Sequence, residues 1–320
     1  MSSSDEVRHG VKLSSLDQEV FSGAGVTKRE WLDYLEAVSD RMLPELRDRL
    51  LTVLRVLRGQ GPFMQKNLPK YTPDWVERVS VWAEASKRDV SYALCNDLRT
   101  LIWFGNQRAI EFHTSLYRGE ASHGPTHLIL DLDPPADGPF SLAIGAAGLV
   151  REALRADGLD GAVKTSGSKG VHVFVPLAPG QSTEDIAAAT RAVAARAERI
   201  DPSLGTTEFV KDRREGKVFL DSTRAGGATV VSVYSPRHRP GAPVSFPVRW
   251  ADLDGVKPGD FTVQTAAAQL GDGPDAWTEE MPEPFVLPAD LVAEGHTIPI
   301  ARVLAMHEGK RRARAARESS

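Results

Sequence analysis

A single cysteine, Cys95, stands in a chain of 320 residues. That scarcity excludes an internal disulfide and a cysteine-rich zinc site, and a lone thiol suits a reducing cytosol. Long apolar runs are also missing. No stretch reaches the ~20 residues that span a bilayer, and the opening MSSSDEVRHG lacks the apolar core of a secretory signal. These absences lead to the expectation of a soluble, cytoplasmic protein with no membrane partner. Positive charge is not in excess either: 39 Lys and Arg face 43 Asp and Glu, for a net charge of -4. Nucleic-acid binders usually carry a basic footprint. A basic groove can nevertheless sit on an acidic body, and an enzyme that holds metal ions gathers carboxylates around them. No internal repeat is present. The hydrophobic fraction, 41%, is enough to bury a core.

Local signals divide the chain into short elements. Thr27-Lys28-Arg29-Glu30 has the pattern of a capping box and predicts a helix with Trp31, Leu35 and Val38 on one face. Pro44 is expected to break or kink it. Leu51–Leu57 is a predicted strand, followed by a turn at Gly59-Gln60-Gly61-Pro62 and the segment Phe63-Met64-Gln65-Lys66. A buried helix over Asp97–Gly105 and a strand over Ile110–Leu116 come next. His127-Leu-Ile-Leu-Asp-Leu-Asp133 is the clearest strand, stopped by Pro134-Pro135. A helix follows over about Ser141–Arg155. Strands over Ala162–Ser166 and Val171–Leu177 are joined by the tight turn Gly167-Ser168-Lys169-Gly170. An Ala-rich helix over Ser182–Arg199 precedes strands at Lys217–Asp221 and Thr229–Tyr234. From Gly255 to Pro299 the chain is rich in Pro, Gly and acidic residues and is expected to form loops. The order of elements predicts an α+β fold: one domain over residues 1–306, with an N-terminal helical part over about 1–60. Residues 307–320 carry Lys310, Arg311, Arg312, Arg314 and Arg317 and form a basic C-terminal tail.

Asp131 and Asp133 are two apart on a strand, so both carboxylates point to one face, opposite Leu128, Leu130 and Leu132. Neighbouring carboxylates repel, and a hard cation such as Mg²⁺ or Mn²⁺ relieves the repulsion. The bland alternative is a solvated acidic strand end, and Asp-x-Asp also occurs in unrelated phosphotransferases and glycosyltransferases. Asp221 ends a second apolar strand and offers the third carboxylate that a two-ion site needs; alone, it reads equally as a strand cap. Thr165-Ser166-Gly167-Ser168-Lys169-Gly170 lies between two strands. Its glycines let backbone N–H groups turn inward around an anion, with Ser166, Ser168 and Lys169 beside them. No helix follows it directly, so it is not a Walker loop. His172 points away from Val171, Val173 and Val175, as a surface histidine would, and His113 is a similar case. Arg214 precedes Asp221 and Arg237 follows Tyr234, where arginines can meet phosphate charge.

The order LILDLDPP, KTSGSKGVHVFVPL, KVFLD and YSPRHRP closely resembles the polymerase domain of bacterial ligase D, a branch of the archaeo-eukaryotic primase superfamily. The three superfamily motifs match Asp131/Asp133, Gly170-Val171-His172 and Asp221, and the resemblance runs from about Val11 to about Leu304. It implies a central antiparallel-rich sheet of primase-polymerase type flanked by helices. It implies Asp131, Asp133 and Asp221 as catalytic ligands of two Mn²⁺ or Mg²⁺ ions. It places Ser166, Lys169, His172, Arg214 and Arg237 around the incoming nucleotide, and Ser168 of the same turn and His113 join them as nucleotide-binding candidates on the residues' own chemistry. Phe63, Met64 and Lys66 fall where the family contacts the templating strand, with Met64 replacing a second aromatic. Lys28 matches a lysine for the 5′-phosphate of a gap, and a second such lysine falls on Gln18.

The activity so implied is addition of nucleotides to a primer 3′-hydroxyl on gapped or broken double-stranded DNA. Nucleoside triphosphates are the substrates, with ribonucleotides often preferred in the family. Repair by gap filling or non-homologous end joining, beside a separate ligase and Ku, is the expected setting. The chain has no ligase or nuclease segment, which reads as a stand-alone member. Two rivals remain open from the residues. One is a phosphohydrolase of haloacid-dehalogenase type, disfavoured by Pro134-Pro135. The other is a non-catalytic DNA-end-binding protein of the same fold.

Overall fold

The computed structural model describes residues 6–84, 87–119, 124–226 and 228–300; the basic tail lies outside the described residues. The chain enters through two short hairpins, β1–β2 (Val7–Arg8, Val11–Lys12) and β3–β4 (Glu19–Phe21, Val26–Thr27). Thr27 then starts α1 (Lys28–Leu46). Its side chain accepts from the Glu30 amide, while Glu30 Oε2 accepts from the Thr27 amide at 2.7 Å. Pro44 does not break this helix, which runs on to Leu46. It lies in the last turn, where little of the helix remains to be disrupted, and the Arg47 amide still reaches the Leu43 carbonyl.

Next come β5 (Leu51–Arg55), β6 (Phe63–Gln65), β7 (Arg78–Ala83), β8 (Arg88–Ala93), α2 (Leu98–Asn106) and β9 (Ala109–Thr114). They are followed by β10 (His127–Asp133), α3 (Phe140–Arg155), β11 (Ala162–Thr165), β12 (Val171–Pro176) and α4 (Thr183–Ile200). The rest is β13 (Gly205–Thr206), β14 (Val218–Asp221), β15 (Val230–Val231), β16 (Pro247–Val248), α5 (Ala276–Glu280) and α6 (Ala289–Thr297).

Backbone contacts divide the described residues into two compact units, each built from three stretches of chain. The first takes the residues up to 119, Lys164–Ser168, and those from 228 to Glu279. Its sheet has the order β15-β9-β5-β8-β7, with β6 also paired to β5. Trp31 of α1 is fully buried. It meets Phe21 edge-on at 5.6 Å and stacks on Tyr34 at 5.8 Å, so the amphipathic face of α1 nucleates an aromatic core. The hairpin β7–β8 gave no sequence signal because β7 is exposed on nearly every residue, leaving no buried and exposed alternation to detect. β15 is shorter than the expected Thr229–Tyr234, since Tyr234 takes a left-handed φ of 64° that ends an extended run.

The second unit takes 124–163, Lys169–Gly226 and the residues from Glu280 to 300. Here β10 pairs antiparallel with β12 on one side and β14 on the other. α3 and α4 pack on β10 and on each other through buried alanines, among them Ala143, Ala146, Ala147, Ala188 and Ala192. Leu128, Leu130 and Leu132 are fully buried. α6 lies in the stretch expected to be loops. It has no side-chain cap at Pro288, and tertiary contact holds it instead. A Cβ on Gly295 would fall 1.9 Å from the Ala188 carbonyl of α4, so only glycine permits the approach. Arg196 and Arg199 of α4 pair with Glu294 at 2.5 and 2.8 Å. Among the described residues no helix is long and apolar enough to cross a membrane.

Candidate active site

The registers of β10 gather the three motifs in the second unit. Asp131 stands opposite His172 on β12 and opposite Asp221 on β14. Asp133, two residues on, shares that face. Asp131, Asp221 and His172 are buried, so His172 is not the surface histidine that its strand pattern suggested. Its Nε2 lies 3.1 Å from Asp131 Oδ1. Carboxylates directly opposite across a ladder repel, and a residue that the sequence reading missed answers this. Arg224, just after β14, places its guanidinium 2.6 Å from Asp131 and 3.3 Å from Asp221. The spacing Asp-x-x-Arg into a short turn was the available signal.

The titration pattern follows from this geometry. Burial alone would raise Asp131, but His172 and Arg224 hold its carboxyl well below the usual range. Asp133 has no such partner. It is exposed at its outer edge yet closely surrounded, and loss of water together with the negative Asp131 and Asp221 pushes it up to about 6. The three carboxylates thus have the hard oxygen donors that a divalent cation needs and a shortage of positive charge. Among the described residues no set of three or more His, Cys, Asp or Glu is gathered at metal-holding spacing. Arg224 supplies the positive charge here, and its displacement would open Asp131 and Asp221 to an ion. In the same unit Lys169 is exposed. Arg214 lies flat on the Phe219 ring at 3.7 Å and donates to the Glu208 and Phe209 carbonyls at 3.1 and 3.0 Å.

In the first unit a different cluster forms. His113 Nε2 lies 2.7 Å from Glu111 Oε2. Arg237 Nε donates to the same oxygen at 3.1 Å, and Arg237 Nη1 donates to the Ser166 carbonyl at 3.0 Å. Ser166 Oγ accepts from the Ser168 amide at 3.2 Å. The structure therefore brings Ser166, Ser168, His113 and Arg237 together, through a residue, Glu111, that carries no motif of its own.

The expected DNA contacts separate into two kinds. Phe63, Met64 and Lys66 are exposed on and beside β6. Lys28 is buried, and its ammonium donates to the Ser14 carbonyl at 2.6 Å and to the Asn106 carbonyl and Oδ1 at 2.9 and 3.2 Å. Burial, with Arg108 nearby, lowers its pKa to about 8. Gln18 is exposed and its carbonyl accepts from the Lys28 amide at 2.8 Å.

Carboxylates on adjacent antiparallel strands, with a histidine on the next strand, define a nucleotidyltransferase of the primase-polymerase class. Comparison with known proteins gives the family. The model of the LigD primase-polymerase domain matches residues 27–277. The bifunctional non-homologous end joining protein LigD of Bacillus subtilis is 33% identical over 272 residues, covering 83% of this chain and 43% of that protein. The multifunctional LigD of Mycobacterium tuberculosis is 33% identical over 265 residues, covering 79% of this chain and 34% of that protein. The chain thus spans well under half the length of these curated relatives. A solved structure of the polymerase domain from Mycobacterium tuberculosis ligase D in complex with DNA is 30% identical, with a TM-score of 0.74 over 81% of this chain and 93% of that one. The chain belongs to the LigD primase-polymerase domain family.

Proposed function

We propose that this chain is a template-dependent primase-polymerase that extends a primer 3′-hydroxyl in DNA gap filling or end joining. The observation that carries the reading is the double register of β10, which sets Asp131 against both His172 and Asp221. Two divalent ions, Mn²⁺ or Mg²⁺, would be held by Asp131, Asp133 and Asp221. When bound there, such ions would supply Lewis acidity for the attacking hydroxyl and charge neutralisation for the leaving pyrophosphate. The protein's own part is to fix the reacting groups and to meet charge with charge. For a triphosphate, Arg237 and His113 offer donors in the first unit, with Ser166 and Ser168 at the turn, and Lys169, His172 and Arg214 offer donors in the second. Exposed Phe63 and Met64 suit stacking on bases, and Lys66 suits a backbone phosphate. The mycobacterial relative was solved in complex with DNA, which supports DNA as a partner here; gapped or broken double-stranded DNA is the form this reading assigns. Lys28, buried on Ser14 and Asn106, would reach a 5′-phosphate only by leaving those partners, and exposed Gln18 beside it is the group that would meet one; ribonucleotide use, a separate ligase, Ku and a cytoplasmic location follow the same reading.

The test is primer extension on gapped DNA with Mn²⁺ and either ribo- or deoxyribonucleotides. Wild type extends the primer. The double variant Asp131→Ala, Asp133→Ala loses extension entirely while its binding to the gap, measured by anisotropy, stays intact. Extension by that variant would overturn the mechanism.

A further inference from the structure

Glu111 is a buried carboxylate with both oxygens engaged, on β9, and the proposed mechanism gives it no role of its own. Period-two geometry on β9 puts its side chain on the same face as His113. Oε2 takes both His113 Nε2 at 2.7 Å and Arg237 Nε at 3.1 Å. Oε1 accepts from the His238 amide at 2.6 Å. Although burial opposes ionisation, the hydrogen bond from His113, the charge of Arg237 and that amide hold Glu111 down to about 2.

The arginine is held at further points along its length. Its own amide donates to the Pro243 carbonyl at 2.8 Å, and Nη1 donates to Ser166 O. A Cβ on Gly167 would lie 2.7 Å from Arg237 Cγ, and Gly167 has a φ of 66°. The glycine is therefore required twice, for its backbone angle and for the space that the arginine stem fills. Arg237 Nη2 has no hydrogen-bond partner among the described residues. A guanidinium clamped on Nε and Nη1 and bare on Nη2 presents a donor in one fixed direction. A carboxylate beside a phosphate-binding group is an electrostatic handicap, since it repels the ligand. Its presence is explained by orientation, which spares the ligand the cost of ordering a long side chain.

We infer that Glu111 is a positioning residue that locks His113 and Arg237 into one preformed anion-binding unit for the incoming nucleoside triphosphate. This rests on the polymerase reading above.

The test measures single-nucleotide addition of ATP opposite a templating thymine in a gap, with Mn²⁺, and separates KM from kcat. Glu111→Ala raises KM for ATP on the order of tenfold with a much smaller change in kcat. Glu111→Gln has the same shape but one acceptor oxygen instead of two. It gives a smaller rise of roughly threefold, and it carries the test if the alanine variant does not fold. In a His113→Ala, Arg237→Ala background, Glu111→Ala adds less than about twofold, because the groups it positions are gone. An equal multiplication of KM in that background and in wild type overturns the positioning role. So does an unchanged KM in both Glu111 variants while Arg237→Ala raises it. If Arg237→Ala and His113→Ala each leave KM unchanged, the nucleotide-site reading itself falls, and the inference with it.

Discussion

Two clusters in this molecule each set carboxylates against a histidine and an arginine, and their charge balances are opposite. In the second unit Asp131 and Asp221 pair with Arg224 and Asp131 with His172, while Asp133 has no ion pair and feels Arg224 and Arg214 only at longer range. In the first unit a single carboxylate, Glu111, faces both Arg237 and His113. The consequence is legible in proton affinity: Asp133 is pushed up to about 6 while Glu111 is held at about 2. One cluster is short of a cation and the other has a cationic group to offer an anion. On the function proposed above, the same three residue types would serve a metal in one unit and a phosphate in the other, according to how many carboxylates the strand registers bring together.

The largest effect that would sharpen this contrast comes from Arg224. It neutralises Asp131 and Asp221, so an incoming ion competes with it. Arg224→Gln is expected to tighten Mn²⁺ binding by roughly tenfold, the equivalent of one charge-assisted hydrogen bond that the ion no longer has to displace. Electron paramagnetic resonance titration of free Mn²⁺ measures it directly. Weaker binding would show that Arg224 helps to build the site rather than guard it.

A smaller effect comes from pH, and the two clusters should differ in sign. Glu111 is lowered from 4.5 to about 2 on folding, so its contribution to stability is present above about pH 4.5 and is lost as pH falls toward 2. Asp133 is raised from 3.8 to about 6, so its contribution is present below pH 3.8 and is lost as pH rises through about 6. In metal-free protein at pH 7, Glu111→Gln should lower Tm by several degrees and Asp133→Asn should raise it by about a degree or two, the latter small because solvent reaches Asp133. The Asp133→Asn difference disappears near pH 4 and the Glu111→Gln difference shrinks toward pH 2. Shifts of the same sign in thermal melts would break the contrast.

Lys28 gives the smallest effect and a third case, a cation held by neutral oxygens alone. With its ammonium committed to Ser14 and Asn106, Gln18→Lys should raise the preference for a 5′-phosphorylated gap by a factor of only about two or three. Matched binding titrations on phosphorylated and unphosphorylated gaps check this. A gain of two orders of magnitude would mean that Lys28 leaves its pocket to join the new lysine.

Much of the carboxylate site was legible because its signal is local. The apolar run of His127–Asp133 and its stop at Pro134-Pro135 marked the strand, and period-two geometry set its two aspartates on one face. What brings Asp221 and His172 beside them is strand pairing at long range, which period-two patterning does not specify. His172 looked like a surface residue for that reason: its partner Asp131 lies on another strand. Arg224 and Glu111 were missed although each sits within three residues of a residue already singled out. The i, i+2 argument applied to Asp131 and Asp133 would have found Glu111 from His113. α6 and the β7–β8 hairpin had no signal of either kind. The first is held by an interhelical fit at Gly295, and the second has an exposed β7 and buries only Val90 and Ala93 of β8.

The threefold interleaving of each unit bears on how the chain comes off the ribosome. Phe112 donates its amide to Ser235 Oγ at 2.8 Å across 123 residues, and the first unit takes in residues as far as Glu279. Strands β5 to β9 can pair among themselves as they emerge, but the sheet is completed by β15 only when residues 230–231 follow. The second unit is completed later still, by α6, and contacts of such long sequence separation form slowly. A nascent chain would carry one open edge, the side of β9 that β15 covers, until Val230 and Val231 have been made.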